Sequence, residues 1–478
     1  MTAANDDVVD DEPVGNGRGD DRDGDRDGGE AKRGGAASSA ASSSRADHND
    51  DDDDVGPETR AFLARCGLRA SAVGAAHAFA GAEFPGFEAA PAPFQGYCSY
   101  TLILRRRREP GDGGSGSGSG SGSTSSSGKS STGSSGSGGD RSGRLVQFRP
   151  RRHGIDVGIC AEAREVLGAR IAPGVEALGA LTGLETVGGG GDEGEGEGEL
   201  RAYALERVGG VSLTEFRGLT SAAGPEQRRA CRRRVVADLA VVFADSWRGR
   251  RAARDVARGR VGGSLGWRVR LMRDGLPGEL GGAARAVAAE MRAIEGLPWV
   301  VTHGDLVPDN IMVHPPPSGE GGDRARRDRA GGVVGLIDWA EAEWLPFGVG
   351  MYGLEEVLGE DVPVPGGGDA AATGFEYYPE ARELRNLFWD EVGRVVGDDE
   401  VIRRARRAQV LGVLLWRGIA FDDGLLGRVV DGERDPWDFQ RLNAWLLGEG
   451  GLGCAASGRR SLWSRVWSRA GRCFRGDG

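Results

Sequence analysis

Lysine is nearly missing from this chain. Lys32 and Lys129 are the only two in 478 residues, and both fall in low-complexity segments. Arginine therefore supplies the positive charge wherever a folding pattern exists, and no lysine is available to a site built there. Cysteine is sparse and scattered: Cys66, Cys98, Cys160, Cys231, Cys454 and Cys473 show neither C-x-x-C nor metal-ligand spacing. The 5 histidines include no H-x-x-x-H pair, so His303 and Asp305 do not read as part of a zinc site. There is no run of eighteen apolar residues, and no transmembrane span is expected. The acidic start has no apolar h-region, so no signal peptide is expected either. A reduced, soluble, cytoplasmic protein is the expectation. The formal net charge of -11 leaves no basic domain to meet phosphates, so nucleic acid is not an expected partner.

Two tracts lack the apolar residues needed to offset the entropy of ordering. Residues 1–57 hold seventeen acidic and six basic residues and read as a disordered acidic tail. Residues 109–143 are almost all Ser and Gly, the composition of a flexible insertion. About 350 residues remain to fold, enough for one large domain or two lobes. At the other end, 451–478 form a basic tail. Its 462–474 stretch sets Leu462, Trp463, Val466, Trp467, Ala470 and Phe474 on one helical face, which admits contact with a membrane surface.

Periodicity then divides the chain. A helical pattern around Phe62, Leu63 and Leu68 leads to a glycine turn and a β-prone run, FQGYCSYTLIL (94–104). LVQF (145–148) reads as a strand, 155–167 as a helix and AYALERV (202–208) as another strand. From Val211 onward the pattern turns helical, at 231–247, 283–294, 380–396, 401–419 and 437–447. Two short strands lie among these helices, one after residue 310 and one at 333–339. The expected fold class is α+β: a small β-rich lobe over 58–207, then a larger helical lobe over 208–450 with an embedded hairpin.

The chemistry concentrates at that hairpin. THGDLVPDNIMV (302–313) puts Asp305 and Asn310 five positions apart at the mouth of a strand, and VVGLIDW (333–339) ends the next strand on Asp338. Phosphoryl transfer needs a carboxylate to orient an acceptor hydroxyl and take its proton, with oxygen ligands for Mg²⁺ close by. Either motif alone reads equally well as a capped turn. Together, in this order across a hairpin, they select the chemical reading. Two other matches fail on context. The stretch 127–130 ends like a Walker A loop but has Ser123 where the first glycine belongs, and Gly262–Gly266 matches G-x-S-x-G without a preceding strand.

The pair HGDLVPDN…GLIDWAEAEWLPFG resembles the aminoglycoside phosphotransferase/choline kinase-like family, a branch of the protein-kinase-like fold, and is most similar to its fungal members. The resemblance spans about residues 90–450 and implies a two-lobed, ATP- and Mg²⁺-dependent phosphotransferase acting on a hydroxyl of a small molecule. Asp305 would be the base, Asn310 and Asp338 the metal ligands, and His303 a structural member of the loop. Arg149 stands where such folds carry a lysine for the phosphates, with Glu165 (or else Glu162) as its acidic partner on the following helix. Ser99 and the turn at Gly96 would cover the phosphates. Glu206, Arg207 and Val208 would form the hinge that meets adenine. Glu341 and Glu343, just past the metal ligand, admit attraction of a cationic acceptor. The chain has no D-F-G and no A-P-E, and little room for an activation loop, which disfavours a protein acceptor. The alternative is a kinase-like protein that binds nucleotide or a partner with weak or no catalysis.

Overall fold

The computed structural model describes residues 55–107, 143–187, 198–317, 324–363, 373–421 and 427–454. Nearly all of the acidic tail, the Ser/Gly insertion and the amphipathic 462–474 segment lie outside the described residues. Helices α1 (Pro57–Arg65) and α2 (Ser71–Glu83) precede an antiparallel five-stranded sheet. Its strands are β1 (Phe87–Pro91), β2 (Tyr100–Arg106), β3 (Arg144–Pro150), β4 (Val175–Leu181) and β5 (Leu200–Glu206), ordered β1-β2-β3-β5-β4. Helix α3 (Val157–Leu167) joins β3 to β4, and Asp156 caps it by accepting from the Gly158 and Ile159 amides.

The sheet is buried on both sides. Leu102, Leu104, Val146, Phe148, Leu200 and Ala202 share a core with Phe62, Leu63, Ala76 and Ala80 of α1 and α2. The alternate residues Tyr203 and Leu205 belong with α3 to the main core. The 94–104 stretch is, as expected, a turn followed by a strand: Phe94–Ser99 is the turn, and β2 starts at Tyr100. Strands β1 and β4 escape the periodicity. β4 carries small residues along an edge, with no run of large apolar side chains to announce it.

Helical structure follows. Strand β6 (Val211–Ser212) and helix α4 (Leu213–Leu219) lead into α5 (Pro225–Arg248), which opens with Pro225 in its first turn. Then come α6 (Leu265–Gly275), α7 (Gly278–Glu295), β7 (Trp299–Thr302), β8 (Ile311–Val313), α8 (Arg324–Arg329), β9 (Val333–Leu336) and β10 (Glu343–Pro346). Helix α9 (Gly353–Val357), the hairpin β11 (Gly359–Pro363) and β12 (Thr373–Tyr377), and helices α10 (Ala381–Val396), α11 (Asp399–Arg417) and α12 (Pro436–Leu447) complete the lobe. A β-rich part followed by a larger helical part is the α+β plan expected from the sequence. Among the described residues no helix is long and apolar enough to cross a membrane.

Candidate active site

Two short ladders bring the two motifs together. β7 pairs antiparallel with β10, with Thr302 opposite Glu343, and β8 pairs with β9, with Ile311 opposite Leu336. The loop 303–310 leaves β7 and enters β8, while 337–342 leaves β9 and enters β10. Both loops thus span the same pair of ladders and must face each other. Asp305 and Asp338 meet for that reason, although thirty-three positions separate them.

His303 fixes the floor. Its Nδ1 lies 3.2 Å from the Asp305 amide, which can only donate, so the proton sits on Nε2 and is given to the Ile337 carbonyl at 2.8 Å. The ring packs on Trp339 with centroids 4.6 Å apart. Burial holds the imidazole neutral by pushing its pKa down to about 4. Asn310 donates through Nδ2 to the Asp305 carbonyl at 2.8 Å and to Asp305 Oδ2 at 3.0 Å. Its carbonyl accepts from the Ile337 amide at 3.0 Å. Burial, reinforced by the nearby Asp338 and Glu341 charges, pushes Asp305 up to about 7, against the Asn310 bond that favours its ionised form.

Sequence reading passed over the supports of this loop. Gly304 has φ +83°, and a Cβ there would lie 1.9 Å from the Glu341 carbonyl oxygen. The Tyr352 hydroxyl donates to the Gly304 carbonyl at 3.0 Å and accepts from the Leu306 amide at 2.8 Å. A hydroxyl placed one turn beyond a strand end leaves no pattern in a single sequence, whereas the glycine inside H-G-D was a visible signal.

Arg149 reaches the site from β3. Its NH2 meets Asp338 Oδ1 at 2.6 Å, with the arginine side chain 3% exposed and the aspartate 41%. Gln147 accepts from its Nε at 3.1 Å. The expected pairing with Glu165 is corrected: Glu165 is exposed on the outer side of α3. Glu162, the second choice, instead accepts from Trp344 Nε1 at 2.6 Å and from Arg251 at 3.3 Å. Ser99 is buried at the end of the 95–99 turn, where its amide meets the Gly96 carbonyl at 3.5 Å. The turn is stapled by Gln95, which bonds to Ala92 and to both backbone groups of Thr101. Burial raises the Cys98 thiol pKa in the same turn, and the charges of Arg149, Asp338 and Glu341 also act on it, so the turn lies near the Arg149–Asp338 pair.

The hinge is only partly as expected. The Glu206 amide donates to the Gly174 carbonyl at 2.9 Å, and its carboxylate takes Arg164 at 2.6 Å and the Gly174 amide at 3.0 Å. Burial alone would raise Glu206, but these partners win and hold it below the usual carboxylate range. The Arg207 amide donates to Gly143. Glu206 thus fastens β5 to the chain before β4, and Val208 packs beside Gly335 of β9. Glu343 is also structural: it is buried and accepts from the Val261 and Gly262 amides at 2.9 and 2.7 Å, so it does not face an acceptor.

The donor set suits a hard cation. Among the described residues no group of three or more His, Cys, Asp or Glu is arranged around one point. Mg²⁺ is commonly held by one or two carboxylates together with phosphate oxygens and water, and Asp338 beside the Asn310 amide fits that demand.

Residues 177–349, which include both motifs, match the phosphotransferase enzyme family, the family that the motifs resemble. No curated protein matches the chain. Among solved structures, a protein from Ralstonia eutropha JMP134, provisionally named an aminoglycoside phosphotransferase, aligns at 12% identity over 80% of this chain and 97% of its own, with a TM-score of 0.39.

Proposed function

We propose that this protein moves a phosphoryl group from Mg-ATP to a hydroxyl of a small-molecule acceptor. One observation carries the reading: Asp305 is oriented by Asn310 and held near neutral pKa beside Asp338, on two loops pinned to each other by His303. Asp305 would take the acceptor's proton, and a carboxylate titrating near 7 is matched to that task. Asn310 keeps it from rotating away. Bound Mg-ATP would supply the transferred group and offset its charge, with Asn310 and Asp338 as the metal ligands. Arg149, now on Asp338, has further donors for phosphate oxygens. Ser99 and its turn would cover the phosphates, and Val208 would border the adenine. The domain limits expected from sequence, 58–207 and 208–450, are kept as part of this proposal.

A second reading is a kinase-like binding protein without efficient transfer. The Arg149–Asp338 contact favours it, because it engages one oxygen of the carboxylate that the metal needs. Calorimetry of ATP with and without Mg²⁺, on wild type and Asp338→Ala, tests the nucleotide site that the transferase requires, and ATP turnover with candidate acceptors then separates the readings. Mg²⁺-dependent binding lost in the variant supports the transferase. A folded wild type that ignores millimolar Mg-ATP sinks it.

A further inference from the structure

We infer that the acceptor carries an anionic group, a carboxylate or phosphate, recognised by an arginine cluster formed by Arg65, Arg152 and Arg260 beside the Arg149–Asp338 pair. This rests on the transferase reading above and assigns its substrate class.

The cluster is a connected chain of contacts. Arg65, at the end of α1, stacks its guanidinium 4.0 Å from the Tyr97 ring centroid and donates to the Tyr97 carbonyl at 2.9 Å. Arg152, just past β3, donates to the Arg65 carbonyl at 3.1 Å. Arg260, from the segment between α5 and α6, crosses to donate to the Arg152 carbonyl at 3.4 Å. His153, next to Arg152, offers its carbonyl to Arg149, the partner of Asp338. The chain therefore runs from both lobes to the catalytic acids. The electrostatics agree: burial first, then the charges of Arg152, Arg149 and Arg260, lower the His153 pKa.

These guanidinium groups lack charge partners. Among the ion pairs of the described residues, Arg149 has Asp338 and Arg251 has Glu162, but none of Arg65, Arg152 and Arg260 meets a carboxylate. Each is fixed by backbone carbonyls, which position a guanidinium without neutralising it. The surroundings reinforce the field. Residues 248–273 hold nine arginines and one aspartate, Asp255. Glu343, a buried carboxylate, spends its oxygens on the Val261 and Gly262 amides and so anchors the Arg260 loop. A surface patch dense in one sign of charge concentrates ligands of the other, and arginine forks match carboxylate and phosphate oxygens. A polycationic acceptor would meet repulsion here.

The test uses the full chain loaded with Mg²⁺ and a non-hydrolysable ATP analogue, so that the nucleotide site cannot take the probe. Glycerol 3-phosphate is titrated by calorimetry into wild type, Arg152→Ala/Arg260→Ala and Arg152→Lys/Arg260→Lys, with kanamycin as the cationic comparison. Saturable binding that weakens at least about tenfold in the alanine variant and is partly retained in the lysine variant, which keeps the charge without the fork, is expected, with thermal midpoints unchanged. Raising the salt should weaken it too. No saturable binding, equal binding in the alanine variant, or preference for kanamycin overturns the inference. Failure to bind the nucleotide analogue at all counts against the transferase reading alone, and the same titration into nucleotide-free protein then still judges the cluster.

Discussion

Replacing Asp305 by Asn should make the protein more stable and inactive at once. The carboxyl is moved from an ordinary 3.8 to about 7 by burial and by Asp338 and Glu341. Between those values the folded state holds the proton more tightly than the unfolded chain, so stability falls as pH rises through that window. Above the window the folded protein bears the whole cost of an ionised carboxylate, about 4 kcal/mol at about 1.4 kcal/mol per tenfold change in proton affinity. Asn removes that cost and keeps an acceptor oxygen for Asn310 Nδ2. The gain of Asp305→Asn over wild type should therefore be small at pH 4, about 1–2 kcal/mol at pH 5 and about 4 kcal/mol at pH 8. Urea unfolding at the three pH values measures it. His303 cancels in the comparison because both proteins contain it. A gain independent of pH, or a variant less stable at pH 8, would refute the electrostatic account of the site. Phosphoryl transfer in wild type should rise from pH 6 to 8 as Asp305 ionises, and should be absent from the variant.

Gly304→Ala should cost more than about 3 kcal/mol or prevent folding, since the new Cβ meets the Glu341 carbonyl in a left-handed backbone; thermal denaturation checks it. Arg149→Lys should keep Mg-ATP binding within about tenfold of wild type, while Arg149→Ala, which leaves Asp338 without its cation, should lose more than that by calorimetry. Glu165→Ala should change stability by less than about 0.5 kcal/mol, and Glu162→Ala, which strips Trp344 Nε1 of its acceptor, should cost about 1–2 kcal/mol in urea titrations.

The last comparison also shows where sequence reading stops. The buried residues of α3 are Cys160, Ala163 and Leu167. Two residues on from Ala163 lies about 200° around the helix, so Glu165 points away from the sheet. That phase was legible, and it favours Glu162 as the inward-flanking acid. The partner of Arg149 was not legible, because the contact with Asp338 spans 189 positions and depends on how two lobes meet. The candidate loop 303–310 was read from its spacing because its demands are local. What supports it comes from elsewhere: β10 against β7, Tyr352 on Gly304, Trp339 on His303. Strands of four residues carry too little period to announce such pairings.

Asp338 is where these constraints meet. It has φ 60°, the one positive value for a non-glycine among the described residues, a conformation costing an L-residue about 1–2 kcal/mol. The chain is pinned on both sides of it. Ile337 gives its amide to Asn310 and its carbonyl to His303, while Trp339 packs on His303 and bonds through Nε1 to Leu336 at 3.0 Å. A residue continuing β9 in extended form would carry its side chain along the ladder. The left-handed turn instead aims the carboxylate at Arg149, while still raising the pKa of Asp305. Strain at one residue and an unfavourable charge on another are both held by uncharged hydrogen bonds from the same small set of neighbours. A fold selected for stability alone would have relaxed either one. Their persistence together, at the junction of two ladders, is what the proposed phosphotransfer site accounts for and a well-capped turn does not.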